Sequence, residues 1–158
     1  MNWRARRPQR AVRHVLLDDT FIHALLDADA AAHADAGALY GELIDRYENE
    51  RDRLFALSSV LADLPAELRR GALAPVLTLH VAAQHRRAAA MIGGPLSPFV
   101  ALSLVMMQRE RIRTVASATY EFDQFDVEVL SVAPRFGDDV ESISSPTAHL
   151  SAPRSTDG

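Results

Sequence analysis

Residues 15–36 read VLLDDTFIHALLDADAAAHADA, and the order of residue types in this stretch decides the fold prediction for the whole chain. It opens with a short apolar run, continues with Asp18 and Asp19, and turns after Thr20 into apolar residues at helical spacing. A strand that ends in carboxylates and leads directly into a helix is typical of parallel α/β sheets. In such sheets, binding sites lie beyond the carboxyl ends of the strands. The two aspartates therefore mark the first candidate site.

The same alternation of short apolar runs and helical patterns continues to about residue 130. Strands are predicted at 14–17, 54–57, 73–81, 113–117 and 127–130, and helices at 20–26, 33–50, 82–92 and 97–111. Strands that alternate with helices imply right-handed β-α-β units. We therefore predict an α/β fold, with a three-layer α/β/α architecture around a central, mainly parallel sheet.

Details of two helices are also predicted. Ser58 or Ser59 is expected to cap a helix after the second strand, and Pro65 is expected to kink or restart that helix. The last long helix is expected to begin at the capping residue Ser97. Its buried stripe is predicted to contain Phe99, Leu102, Val105 and Met106.

The two ends of the chain differ from this central part. Residues 1–13 contain five arginines, Pro8 and no acidic residue, and are expected to be a flexible basic arm. Such an arm is either a solvated leader or a segment that contacts phosphate groups. Residues 131–158 are rich in Ser, Pro, Gly and Asp, and are expected to be disordered because they offer little apolar surface to bury. The folded domain is accordingly expected to span residues 14–130.

The composition excludes several classes of protein. The chain contains no cysteine, which excludes a disulfide framework, a thiolate zinc site, an iron–sulfur cluster and a cysteine nucleophile. No apolar run approaches the roughly 18–20 residues that a membrane span needs. Asp18 and Asp19 also interrupt the apolar run that follows the basic start, so that start is not a signal peptide. We expect a cytoplasmic protein that does not associate with membranes.

Carboxylates dominate the candidate site. Asp18 and Asp19 follow the first strand, and Asp63 is predicted to lie inside the helix after the second strand, where it could face the same crevice. Paired carboxylates with few other ligands suit Mg²⁺ or Mn²⁺, which prefer oxygen ligands and retain several waters. Each aspartate also has a simpler interpretation, as a helix cap or a solvated surface residue.

Three segments together resemble PIN-domain proteins of the VapC toxin–antitoxin type. They are the stretch quoted above, SSVLADL at 58–64, and FVALSLVMMQRERIRTVASATYEFDQF at 99–125. The resemblance covers residues 14–130 and implies a PIN-like fold and a magnesium-dependent endoribonuclease. It implies that Asp19 is the first metal-binding acid, with Thr20 beside it. Asp63 takes the position of the family's glutamate.

At two positions where the resemblance implies an acidic residue, this chain has a residue of another type. The family's third acid falls on Val100 and its fourth on Thr119, while Ser117 takes the place of the threonine that precedes the fourth acid. Glu121 and Asp123 lie near the fourth position, but on a helical turn an offset of two residues rotates a side chain by about 200°. Neither is therefore expected to replace the missing acid.

The remaining histidines and arginines have alternative interpretations. The histidines are expected to be packing or surface residues, since their spacings do not suit a shared metal. They include His23, His33, His80 and His85. Two groups of arginines are either contacts to RNA phosphate or solvated helix ends. They are Arg86 with Arg87, and the run Arg109, Arg111 and Arg113.

Three hypotheses about function follow. The first is a VapC-like ribonuclease that uses Asp19 and Asp63 as catalytic metal ligands and water as the nucleophile. The second is a catalytically inactive PIN-fold module that binds RNA, an antitoxin protein or a second copy as a homodimer. The third is an unrelated α/β domain in which Asp18 and Asp19 only cap a helix. The two missing acids favour reduced or lost catalysis over full activity.

Overall fold

A computed structural model of the chain describes residues 11–134, which contain a five-stranded sheet in the order β3-β2-β1-β4-β5. The strands are β1 (Arg13–Leu17), β2 (Asp52–Leu57), β3 (Val76–Leu79), β4 (Thr114–Ser117) and β5 (Glu128–Ser131). The helices are α1 (Asp19–Leu26), α2 (His33–Glu48), α3 (Ser58–Leu61), α4 (Ala66–Arg70), α5 (Ala83–Ile92) and α6 (Pro98–Glu110), with a 3₁₀ helix at Glu121–Gln124. Each pair of neighbouring strands is parallel. The predicted α/β class with a parallel sheet is confirmed.

Strand β1 shows why helices cover both faces of the sheet. Successive side chains in a strand point to opposite faces. Val15 and Leu17 pack into one apolar cluster with residues of α1 and α2, whereas Leu16 packs into a second cluster with residues of α5 and α6. All three side chains are fully buried. The sheet is therefore the middle of the three predicted layers. None of the helices between residues 11 and 134 is long and apolar enough to cross a bilayer.

The sheet extends past both predicted limits of the folded domain. Arg13, the last residue of the predicted arm, begins β1, and Ser131, the first residue of the predicted tail, ends β5. Val132 and Ala133 are buried as well. The remainder of the predicted basic arm, residues 1–10, and of the predicted tail, residues 135–158, lies outside the described residues.

The region after β2 corrects the predicted serine cap. Leu57, and neither serine, is the residue before the first turn of α3, and no side chain caps that helix. The Ser58 hydroxyl instead accepts a hydrogen bond of 2.9 Å from the Val81 N–H. This bond ties the end of β2 to the segment that follows β3. Helix α3 ends at Leu61, and α4 begins only after Pro65.

The buried stripe predicted for α6 is partly wrong. Ser97 caps the helix as predicted, and Leu102 and Met106 are buried. Phe99, however, is 43% exposed. The buried residues of the helix are Val100, Ala101, Leu102, Ser103, Met106 and Met107. This set is wider than one stripe because α6 packs against α5 as well as against the sheet.

Helix α6 ends in a left-handed residue that is not glycine. Arg111 has φ 56° and ψ 37°, and its N–H is directed at the carbonyls of Met107 and Gln108. The next residue, Ile112, donates a 2.8 Å hydrogen bond to the Met107 carbonyl. A left-handed conformation costs an L-residue roughly 1–2 kcal/mol, a cost that glycine avoids. The left-handed conformation of Arg111 therefore lowers the stability of the fold.

A buried ion pair stabilises the amino-terminal edge of the sheet. Asp52 accepts hydrogen bonds from Arg13 Nη2 at 2.8 Å and Arg46 Nε at 2.9 Å, both to its Oδ2 atom. Its side chain is fully buried. Arg13 also reaches Glu128, 3.2 Å away on β5. Burial alone would raise the pKa of Asp52, but the hydrogen bonds from the two arginines outweigh it and hold that pKa below its usual value. The cluster joins β1, β2, β5 and α2.

We predict that Asp52→Asn lowers the free energy of unfolding at pH 7 by about 2–3 kcal/mol, since it leaves two guanidinium groups without their buried partner. A carboxyl with a lowered folded-state pKa stabilises the fold above its ordinary value of 3.8 and loses that contribution as the pH falls through the folded-state pKa. Urea denaturation should therefore show a large difference from wild type at pH 7 and a small one near pH 2. The exposed Asp126→Asn is the matched control. An equal difference at both pH values would contradict the assigned ion pair.

Candidate functional site

The carboxyl ends of the two central strands bring Asp18 and Ser117 together. Asp18 follows β1 and caps α1, where its Oδ1 accepts hydrogen bonds from the Phe21 N–H and the Thr20 hydroxyl, both at 2.7 Å. The Ser117 hydroxyl, at the end of β4, donates a 2.6 Å hydrogen bond to Asp18 Oδ2. Asp18 is 1% exposed. Burial raises its pKa to about 6, although these three hydrogen bonds act in the opposite direction.

The polar residues around Asp18 form a connected cluster. Thr20 Oγ1 accepts a 2.9 Å hydrogen bond from the Ala118 N–H, and Ser117 Oγ accepts one of 3.1 Å from the Thr119 N–H. The hydroxyl oxygens of Thr20 and Ser117 are 3.3 Å apart, but each already donates its hydrogen to Asp18. The structure thus brings together Thr20, Ser117 and Thr119, the three residues expected to support the site.

Asp19 is the first residue of α1 and is half-buried. It lines a cavity of about 260 Å³ whose other walls include Ile22, Val60 and Leu64. Burial raises the pKa of Asp19, and the negative charge of Glu121 raises it further. The negative charge of Glu121 therefore disfavours the charged state of Asp19.

Glu121 is a site residue that sequence reasoning set aside. Its Oε1 atom accepts a 2.8 Å hydrogen bond from the Ser97 N–H at the start of α6, and its Oε2 atom lies 3.5 Å from the Thr119 hydroxyl. The turn is a 3₁₀ helix, in which an offset of two residues rotates a side chain by about 240°, in place of about 200° in an α-helix. That Glu121 does not replace the missing acid therefore stays a prediction. The usable signal was the Thr119 hydroxyl two residues before a carboxylate, a spacing that favours local hydrogen bonds.

Asp63, predicted as the second metal ligand, does not lie inside a helix. It lies in the turn between α3 and α4, where it is exposed. Val60 and Leu64 on either side of it line the cavity that contains Asp19, but Asp63 is not among the lining residues. Proline lacks an N–H group and restricts the residue before it, which accounts for the interruption of the helix ahead of Pro65.

The two positions at which family acids are missing lie in different surroundings. Val100 is 1% exposed and belongs to the apolar cluster that includes Leu16 and Phe122. Thr119 is half-buried and belongs to the polar cluster described above. The side chain at 100 therefore contributes to the core, while the one at 119 still faces other polar groups.

These residues do not fit the divalent cation that the family resemblance implies. Asp18 already accepts three hydrogen bonds, and Glu121 is engaged by Ser97. Within residues 11–134, no three His, Asp or Glu side chains are grouped in a way that could hold a metal ion. A protein site for Mg²⁺ needs carboxylates that are free to face the ion and its waters. The described residues therefore do not provide the ligands of a magnesium site.

The negative charge of the site is not balanced by arginine. The ion pairs found between residues 11 and 134 involve neither Asp18, Asp19 nor Glu121. Asp19 therefore has a raised pKa and no arginine partner in the described part of the chain.

Three of the four histidines considered above have local polar contacts. His33 Nδ1 lies 2.9 Å from the Ala24 carbonyl, and the exposed His23 lies 3.4 Å from Asp27. His85 is buried, and its Nδ1 accepts a 3.0 Å hydrogen bond from the Ala82 N–H at the start of α5.

The two arginine groups lie toward opposite edges of the sheet. Helices that connect parallel strands begin near the carboxyl edge and end near the amino edge. Arg86 and Arg87 lie in the first half of α5, whereas Arg109 and Arg111 lie at the end of α6. Arg113 directly precedes β4. The second group is therefore distant from Asp18.

Comparison with known proteins gives a likeness in fold. No protein-family model matches the sequence, and no curated protein matches it significantly. VapC20 of Mycobacterium tuberculosis, a toxin that cleaves the sarcin-ricin loop, aligns at a TM-score of 0.50 and 19% identity over 69% of this chain and 92% of its own. A chain from the Rickettsia felis VapBC2 structure, which contains a promoter DNA fragment, aligns at a TM-score of 0.52 and 12% identity over 75% of this chain and 98% of its own. The chain shares the α/β fold of these VapC structures.

We predict that Asp18→Asn stabilises the protein at pH 7.5 by about 1–3 kcal/mol. Asn preserves the acceptor for the Phe21 N–H but removes the buried charge. As the pH rises from 3.8 to about 6, the unfolded chain loses its Asp18 proton while the folded chain keeps it, so the wild-type free energy of unfolding falls. In denaturation series with EDTA, that fall should be smaller in Asp18→Asn than in wild type, since the raised pKa of Asp19 still contributes part of it. The fall should be unchanged in the exposed-site control Asp29→Asn. A variant less stable than wild type at pH 7.5 would refute the cost assigned to this carboxylate.

Proposed function

We propose that the chain is a PIN-like module of the VapC type that acts on RNA by binding, with metal-dependent hydrolysis reduced or lost. The observation that carries the proposal is the apolar burial of Val100 where the resemblance requires an acid. The shared fold supports this proposal over an unrelated α/β domain. With RNA as its ligand, the proposal places the protein in the cytoplasm.

The carboxylates that remain support weak cation binding at most. The negative charge of Glu121 acts on Asp19, while Asp63 is exposed on a separate turn. A phosphodiester carries negative charge, and a crevice of uncompensated carboxylates repels it unless a cation intervenes. We therefore propose that Mg²⁺ or Mn²⁺ binds weakly or not at all, and that catalysis by Asp19 and Asp63 is correspondingly slow or absent.

A protein partner is the second part of the proposal. Three large apolar side chains on α5 and α6 are exposed, at 87% for Met91, 44% for Ile92 and 43% for Phe99. Exposed apolar groups that cluster together are typical of protein interfaces. An antitoxin protein or a second copy in a homodimer is the partner that this surface and the VapBC2 likeness support.

We expect the purified protein to bind RNA in EDTA and to cleave it at least a hundredfold more slowly than an active metal-dependent ribonuclease of this fold. Any cleavage that Mg²⁺ or Mn²⁺ restores should disappear in Asp19→Asn and persist in Asp123→Asn, a control on the exposed side of the same turn as Glu121. The measurement is a gel assay with labelled RNA over a series of metal concentrations. Rapid metal-dependent cleavage by the wild type would overturn the proposed loss of hydrolysis. Cleavage in EDTA by Asp19→Asn would exclude the assigned site.

We also expect the double variant V100D/T119D to gain a metal-dependent thermal shift that the wild type lacks. Without a cation the variant should unfold at a lower temperature, because an aspartate at a buried apolar position costs several kcal/mol. A cation that binds only the folded state restores stability as its concentration rises. The measurement is Tm at 0 and 10 mM MgCl₂, with V100N/T119N as the uncharged control. A shift in the wild type, or none in the folded double variant, would count against the residue assignments.

A further inference from the structure

A groove of about 800 Å³ lies at the amino-terminal edge of the sheet, between the end of α6 and the segment that leads into β5. Leu104, Phe125 and Val127 contribute apolar walls, while Gln108, Arg111 and Arg113 contribute polar groups. Because β4 begins directly after Arg113, this groove and the Asp18 crevice lie at opposite ends of the strands. The groove is therefore separate from the site described above.

The groove carries excess positive charge. Arg111 and Arg113 are both exposed, and neither forms an ion pair with any of residues 11–134. Asp126 also lines the groove and is the one carboxylate among its lining residues. Two guanidinium groups thus oppose one carboxylate. The charged groups that line the groove are therefore mainly positive, whereas those around Asp18 and Asp19 are negative.

The backbone at Arg111 points independently to a function for this side chain. Its φ of 56° is a conformation that glycine adopts without strain. A non-glycine residue kept in such a conformation is one that the fold tolerates at a cost, and such residues concentrate at functional sites.

We propose that this groove binds the phosphate backbone of single-stranded RNA, with Arg111 and Arg113 as the phosphate contacts. The inference rests on the proposed function for the choice of RNA as ligand. Guanidinium groups pair with phosphate in a planar, two-pronged geometry, and Phe125, which lines the same groove, offers an aromatic surface for a base. An acidic peptide would satisfy the charges but would leave the aromatic surface without a stacking partner.

The test compares arginine variants of the full chain in binding to a labelled 20-nucleotide single-stranded RNA, over a salt series in EDTA. R111G/R113Q should weaken binding about tenfold and reduce the slope of log K against log salt by roughly 1.4, the value for two lost phosphate contacts. R86Q/R87Q, which removes the same charge from α5, should leave the slope close to wild type. D126N, which removes the opposing carboxylate, should strengthen binding.

R111G separates binding from stability. Glycine relieves the left-handed strain, so the variant should unfold at the same or a higher temperature than wild type while binding RNA more weakly. Equal RNA affinity in wild type and R111G/R113Q, or a larger loss in R86Q/R87Q, would overturn the groove assignment and leave RNA binding intact. Absence of RNA binding by the wild type would overturn the proposed function as well. Equally tight binding of a polyglutamate peptide would identify an acidic protein segment as the ligand and refute RNA.

Discussion

The hydrogen bond between the Ser117 hydroxyl and Asp18 joins the carboxyl ends of the two central strands, and the arrangement of the crevice depends on it. Asp18 can receive this bond only because it caps α1, which fixes where that helix begins. Thr20 then accepts a hydrogen bond from the Ala118 N–H, and the Thr119 N–H donates one to the Ser117 hydroxyl. One buried carboxylate thus sets the position of a helix, a strand end and a loop. Its raised pKa reflects the desolvation that this role requires.

The fold could be predicted from the sequence because the pattern that specifies it, a short apolar run followed by a helical segment, is repeated along the chain. Strand β1 is apolar on both faces, and short apolar runs alternate with helical patterns along the chain, so the parallel sheet follows from this alternation. The site was harder, since it depends on where turns begin and end. Asp63 was misplaced because a break before Pro65 moved it out of a helix, and the position of Glu121 depends on a short 3₁₀ turn. Such changes involve one or two residues and leave no periodic signal.

Charge is distributed unequally between the two edges of the sheet. At the amino edge, Asp52 is neutralised by Arg13 and Arg46, while Arg111 and Arg113 remain available to a ligand. At the carboxyl edge, Asp19 and Glu121 have no arginine partner in the described part of the chain. A nucleic acid held at one edge would keep its phosphates away from the carboxylates at the other. Binding and hydrolysis, which a metal-loaded crevice would combine, are then separable properties of this molecule.

The burial of Val100 has a consequence for any attempt to build a cation site into this crevice. An aspartate at position 100 would place a charge among Leu16 and Phe122 before any cation could be held there. Thr119 would have to change as well before a metal could offset that charge. The two substitutions therefore have to be made together, since either one alone would add a charge that has no partner.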